Sequence, residues 1–254
     1  MVGIEVFREH FKDYRECYIV IGGVACEDHF EEVGVVFRAT KDIDLILVVE
    51  ALNNNFIAHF WEFIRKGNYE QKQIGEGERQ YYRFIKPGTE NYPMQLELFS
   101  RTPDVITRTD DMELTPIPAD EELSSLSAIL MDDEYYEFTI KYSEKGVTIH
   151  RADDLALICL KAKAFLDLTK RKAEGEEIDS KNIKKHKNDV FRLAATLRES
   201  DRIELPEGIK KDLEEFIQIM TDTTPDITGI MKNMGITSVT ASDLIVQIKN
   251  NFTL

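Results

Sequence analysis

"TKDIDLIL", residues 40–47, sets Asp42 and Asp44 one residue apart inside an apolar run of Ile43, Leu45, Ile46 and Leu47. The run reads as a buried strand. Alternate side chains of a strand share a face. Asp42 and Asp44 therefore point one way, and Ile43, Leu45 and Leu47 point the other way, toward a core. Two carboxylates about 7 Å apart on one strand face repel each other. A solvated strand edge tolerates them, and so does a divalent cation placed between them.

The surrounding chain supplies the frame. Ile4, Phe7, Phe11 and Tyr14 fall at helical spacing, which predicts an amphipathic helix over 3–16 and not a secretory signal. "CYIVIGG" predicts a short strand stopping on Gly22–Gly23, and "VACEDHFEEVG" a helix ending at Gly34. "NNNFIAHFWEFIRKG" opens on asparagine and closes on Gly67, a further helix. "RQYYRFIKP" and "YPMQLELFS" read as strands joined by the turn-rich "GTEN". Residues 101–120, rich in Thr, Asp and Pro, read as a domain edge. Between 123 and 150 the pattern predicts a short strand or helix, a helical turn at Tyr135–Tyr136, and a strand at 147–150. Beyond "HRADD" the chain turns helical, with Asp153 or Asp154 as cap and further helices near 180–199, 207–221 and 240–250. The fold class expected is α+β, with a small mixed-sheet domain over 1–115 followed by a mostly helical C-terminal domain over 116–254.

Composition narrows the function classes. The chain has 254 residues, 43% hydrophobic and 31% charged, enough for a packed core. No apolar stretch reaches the roughly 20 residues that span a bilayer, so no membrane partner is expected and a cytoplasmic location is the default. Cys17, Cys26 and Cys159 are scattered, and the histidines do not cluster with them, which predicts buried thiols rather than bridges or zinc. A net charge of −15 argues against broad nucleic-acid coating. The local exception is the basic stretch 169–187, where Lys184, Lys185 and Lys187 read either as a solvated helix face or, with His186, as a wall receiving a polyanion.

Three features give the opening aspartates a context. A glycine pair ends the preceding strand where a helix begins, and glycines and helix N-termini both suit phosphate. A third acid, Glu97, lies in "MQLELFS" on a later strand and shares a face with Gln95. The order is glycine pair, D-x-D, then one acid. Carboxylates converging beside a phosphate-receiving helix end match what two magnesium ions and a triphosphate require.

"IGGVA", "TKDIDLIL" and "QLELF" together resemble the nucleotidyltransferase superfamily, whose fold is shared with DNA polymerase beta. "LICLKAKAFLDL" and "IKKHKNDVFRLA" resemble the helical segments of its abortive-infection and toxin-type branch. Two departures stand out: the third acid is Glu rather than Asp, and Lys185–His186 occupies the place of an arginine–aspartate pair. The resemblance implies a catalytic domain whose nucleotide and acceptor site the helical domain completes. Asp42, Asp44 and Glu97 would be the catalytic and metal residues, with Mg2+ or Mn2+ as cofactor and an NTP as substrate. Gly22, Gly23, Lys41, Lys161, Lys163 and Asp189 would bind the nucleotide. The acceptor would be a tRNA, a protein or a small molecule, and an antitoxin-like protein would be the partner. A non-catalytic nucleotide-binding or partner-binding module on the same fold is the alternative. On a helix, Lys161 and Lys163 stand about 200° apart, so they cannot both face one ligand closely. For Lys161 a position snorkelling from the core edge is the alternative to a phosphate contact. Arg83 reads as an exposed strand cation or a phosphate contact, and Tyr81 and Tyr82 as packing residues or base-stacking platforms.

Overall fold

The computed structural model describes residues 3–38, 40–48, 51–74, 80–100, 116–117, 129–130, 132–146 and 148–254. The chain is mixed α+β and divides into two interleaved units. The first comprises Met1–Glu27, Arg38–Ser127 and Ser143–Ala152, and the second Asp28–Phe37, Ala128–Tyr142 and Asp153–Leu254. Where the sequence suggested one cut after residue 115, short segments are exchanged between the units.

The first unit is built on a sheet. Helix α1 (Ile4–Phe11) runs into a 3₁₀ segment (Lys12–Cys17), so the helix expected to residue 16 tightens over its second half. Strand β1 (Tyr18–Ile21) is buried throughout. Helix α2 (Gly22–Glu32) begins at the next residue, and β2 (Asp42–Leu47) follows. Then come α3 (Asn54–Gly67), β3 (Glu70–Ile74), β4 (Gln80–Ile85), β5 (Gln95–Ser100) and β6 (Pro116–Ile117). Two later strands, β7 (Ser143–Lys145) and β8 (His150–Ala152), return to this unit. Among the described residues, eight strands form one sheet in the order β6-β3-β4-β5-β2-β1-β8-β7. β1 is antiparallel to β2, whereas β2 is parallel to β5. The strand expected at 147–150 begins only at His150, where pairing with β7 starts.

Helix α3 starts where Asn53 accepts a hydrogen bond from the Phe56 amide at 2.9 Å, and it ends on Asn68 in a left-handed conformation. Its apolar face packs Phe56, Phe60 and Phe63 against Phe11 of α1 and, through Phe60, Phe84 of β4. Burying such rings is the main source of stability for a unit of this size.

The second unit is helical. Its elements are α4 (Asp133–Lys141), α5 (Asp154–Ala173), α6 (Ser180–Ala194), α7 (Glu207–Thr223), α8 (Thr228–Asn233) and α9 (Ala241–Asn251). The helical turn expected at Tyr135–Tyr136 is the middle of α4. α5 is buried over most of its length and forms the centre of the unit. Aspartates open three of these helices: Asp132 caps α4, Asp153 caps α5 and Asp179 caps α6. Cys17, Cys26 and Cys159 are all buried thiols, and burial pushes the Cys17 thiol up to about 11. No helix among the described residues is long and apolar enough to cross a membrane.

Candidate functional site

In the first unit the acidic residues lie on one face at the middle of the sheet. On β2, Asp42 is exposed and Asp44 half-buried, while Ile43, Leu45 and Leu47 are buried as the alternation requires. Ile46 shares the aspartate face and is nevertheless 0% exposed. That face is therefore open only at its aspartate end.

Parallel pairing of β2 with β5 sets Asp44 opposite Glu97 and Asp42 opposite Gln95. Antiparallel pairing of β5 with β4 then sets Glu97 opposite Arg83. Directly opposed residues share a face, about 4.8 Å from strand to strand. The register thus lays out a row of aspartate, glutamate and arginine. Asp44 beside Glu97 is a like-charge pair and costs stability. Arg83 offsets part of this cost: its Nε donates to Glu97 Oε1 at 2.8 Å. Gln95 Nε2 donates to the same oxygen at 2.7 Å. Glu97 is 2% exposed, and its Oε2 is buried with no hydrogen-bond partner among the described residues. Arg83, expected as an exposed strand cation or a phosphate contact, is half-buried and serves this carboxylate.

The glycine pair lies next to this row. Ile21, the last residue of β1, pairs with Asp44, so α2 starts beside the aspartates. Gly22 has φ +72°, a left-handed turn that lets the chain pass from strand to helix within one residue. Gly23 is required for a different reason: a Cβ there would stand 2.7 Å from Thr40 Oγ1. The same position lies 3.7 Å from Arg38 Nη2, so a guanidinium stands at the first turn of α2. Thr40 and Arg38 were not singled out in the sequence, and Gln95 was read only as sharing a face with Glu97. Only packing brings Thr40 and Arg38 to the glycines. Lys41 is exposed at the start of β2.

The remaining nucleotide-binding candidates belong to the second unit. Lys161 on α5 is 1% exposed and lies 3.5 Å from Asp189 Oδ2 on α6. Asp189 also accepts from Arg192 at 3.1 Å, so its ion-pair partners include Lys161 and Arg192. Lys163 projects differently, as the helical angle required. Its ammonium donates to Asp212 at 3.1 Å and lies 3.5 Å from Asp167, and Tyr135 also donates to Asp212. Within the basic stretch, Lys184 is exposed and Lys185 half-buried, but His186 is buried and stands off the solvated face. Burial, with Lys184 nearby, lowers the Lys187 ammonium below its ordinary value. Tyr82 is buried, a packing residue; the Tyr81 side chain, and most of the 101–120 segment, lie outside the described residues.

The acids fit a hard divalent cation by donor type, since all of them offer carboxylate oxygens. Their ligand atoms do not all lie within 4.8 Å of one another. Among the described residues, His10, His59 and Glu62 form such a set. The two imidazoles stack face to face, 3.8 Å apart and 11° from parallel. An ion in the plane of one ring would stand above the plane of the other, so the stack cannot share an ion without opening. Each ring instead meets the other residue's backbone carbonyl, at 3.0 and 2.6 Å, clasping α1 to α3.

No family model matches the chain, and no curated protein does. Among solved structures, it is similar to an antigenic nucleotidyltransferase-like protein from Paracoccidioides brasiliensis, at 12% identity over 92% of each chain with a TM-score of 0.42.

Proposed function

We propose that the chain is a divalent-metal-dependent nucleotidyltransferase, moving a nucleoside monophosphate from an NTP to a hydroxyl acceptor. The observation that carries this reading is the Asp44–Glu97 register pair with Asp42 one step along the same face, where Glu97 keeps a buried oxygen with no partner among the described residues. Asp42, Asp44 and Glu97 would hold Mg2+ or Mn2+. Three carboxylates spread over two strands would give such cations a set of oxygen donors. When bound, the cation supplies charge neutralisation at the phosphates and a template for in-line displacement.

The chain's own residues would act around that charge. The first-turn amides of α2, which lack partners within the helix, would receive phosphate oxygens, with Arg38 beside them and Lys41 at the strand mouth. Glu97 Oε2 is the oxygen left to take a ligand or the proton of an attacking hydroxyl. The acceptor oxygen would form a bond to the α-phosphorus, the bond to the bridging oxygen would break, and pyrophosphate would leave. An RNA or protein acceptor fits the toxin-type resemblance. The charge of −15 restricts RNA contact to the basic stretch at 169–187.

The test is incubation with each of the four α-³²P NTPs and Mg2+, with total RNA, protein or small-molecule extract as acceptor, alongside Asp44→Ala. Label on one acceptor class, lost in the variant, is the expected result. Tight NTP binding without label on any class would favour the non-catalytic binding module instead.

A further inference from the structure

The two oxygens of Glu97 have opposite fates. Oε1 accepts from Arg83 Nε at 2.8 Å and from Gln95 Nε2 at 2.7 Å, while Oε2 accepts from no described residue. The carboxylate is 2% exposed, so water does not supply the missing bonds freely. A buried carboxylate oxygen left without a donor is costly, and such groups mark sites where the structure serves something other than its own stability.

We propose that Arg83 and Gln95 are positioning residues for Glu97, clamping Oε1 so that the carboxylate offers a divalent cation one oxygen, Oε2. The inference rests on the nucleotidyltransferase reading and assigns two residues the sequence did not give this role. Both partners are set by the sheet rather than by chance side-chain reach. Arg83 is the register partner of Glu97 across β4 and β5, and Gln95 precedes Glu97 by two residues on the same face of β5. Arginine suits the task because its guanidinium is planar, permanently charged and able to hold a carboxylate in a fixed orientation. Gln95 adds a neutral donor, which fixes orientation without further charge. Carboxylate ligands of metals are held in this way by outer hydrogen bonds, and removing such a partner weakens metal binding about 10–100-fold.

The test measures metal binding without turnover. Mn2+ affinity is read from the electron paramagnetic resonance signal of the free ion, in the absence of nucleotide. The proteins compared are wild type, Asp44→Ala, Arg83→Met, Arg83→Lys, Gln95→Leu, Glu97→Gln and the Arg83→Met/Glu97→Gln double variant, each checked for folding by circular dichroism. The expected result is about a 10-fold weaker Mn2+ affinity in Arg83→Met. Arg83→Lys should recover part of it, and Gln95→Leu should show a smaller loss. In the Glu97→Gln background Arg83→Met should add almost nothing, because its effect passes through Glu97. An unchanged or tighter affinity in Arg83→Met, or an equal loss with and without Glu97, would overturn the inference while leaving the metal site standing. If Arg83→Met fails to fold, Gln95→Leu and Arg83→Lys decide the matter, and wild-type affinity in both would overturn it. Wild-type protein that binds no Mn2+ in a manner abolished by Asp44→Ala would overturn the inference and the nucleotidyltransferase reading together.

Discussion

Lys161 and Asp189 form an ion pair inside the helical unit with 1% and 0% of their side chains exposed. Taking both charges out of water carries a large desolvation cost, and mutual attraction offsets it only while both partners remain. Arg192 gives Asp189 a second donor at 3.1 Å, so the aspartate is not left alone when Lys161 is removed. Lys161→Met is therefore expected to cost about 3 kcal/mol, the lower end of the range for broken buried pairs. The measurement is urea unfolding followed by far-ultraviolet circular dichroism. Lys161→Met/Asp189→Asn should be less destabilised than Lys161→Met, because it no longer buries a carboxylate that has lost one of its ion-pair partners. Equal stability of the two variants would show that the remaining partners of Asp189, Arg192 among them, are enough to hold it. The same two residues illustrate how far single positions can be read. A lysine amid Leu157, Ile158 and Phe165 stands out in the sequence as needing a reason. That reason, a carboxylate on another helix, is a tertiary contact that no local spacing encodes.

At the level of elements, the β1–α2 junction ties the site to the fold. Gly22 supplies the turn, with φ +72°, and Gly23 leaves room for Thr40, the residue that introduces the D-x-D strand. Gly23→Ala would place a methyl group 2.7 Å from Thr40 Oγ1, closer than such contacts occur, so the junction or β2 must shift. The expected cost is about 1–3 kcal/mol by thermal or urea unfolding. Thr40→Ala/Gly23→Ala should recover part of it; a double variant no more stable than Gly23→Ala would locate the strain in the backbone instead. The sequence made this junction legible because glycine pairs and apolar runs leave strong local marks. The caps were equally legible: Asn53 and Asp153 sit where their helices begin. β3 left no such mark. Glu70, Gln71, Lys72 and Gln73 show no apolar alternation, and the segment is a strand only because β4 and β6 pair with it. The acids on β2 and β5 were legible as faces, through period two, but the choice of neighbours was not. Strand order and register bring Arg83 to Glu97, and both are properties of the whole sheet, whereas Gln95 shares the Glu97 face by period two alone.

At the level of the whole molecule, the sheet unit carries a pH dependence distinct from that of the helical unit. His10 has its pKa lowered from 6.5, first by burial, with His59 and Lys66 pushing the same way against the His59 carbonyl and Glu62. His150 is lowered as well, again first by burial, against its hydrogen bond to the Arg15 carbonyl. A histidine with a lowered folded pKa takes up its proton more readily when unfolded. Between the folded value and 6.5 the unfolded chain binds more protons, so stability rises with pH there. The contribution is complete above about pH 6.5 and is lost as pH falls from 6.5 through the lowered value. Asp167, raised by burial, acts in the opposite sense, but it belongs to the helical unit. Trp61 is the chain's single tryptophan, buried in the sheet unit, so its fluorescence reports that unit selectively. The urea midpoint read at Trp61 is expected to fall between pH 7 and pH 5.5. His10→Phe keeps an aromatic ring over His59 while removing one titrating group. It should start from a lower midpoint at pH 7, because the His59 carbonyl loses its donor, yet show a shallower fall with acid. A midpoint independent of pH in the wild type, or an undiminished slope in His10→Phe, would show that the clasp between α1 and α3 holds its geometry through protonation.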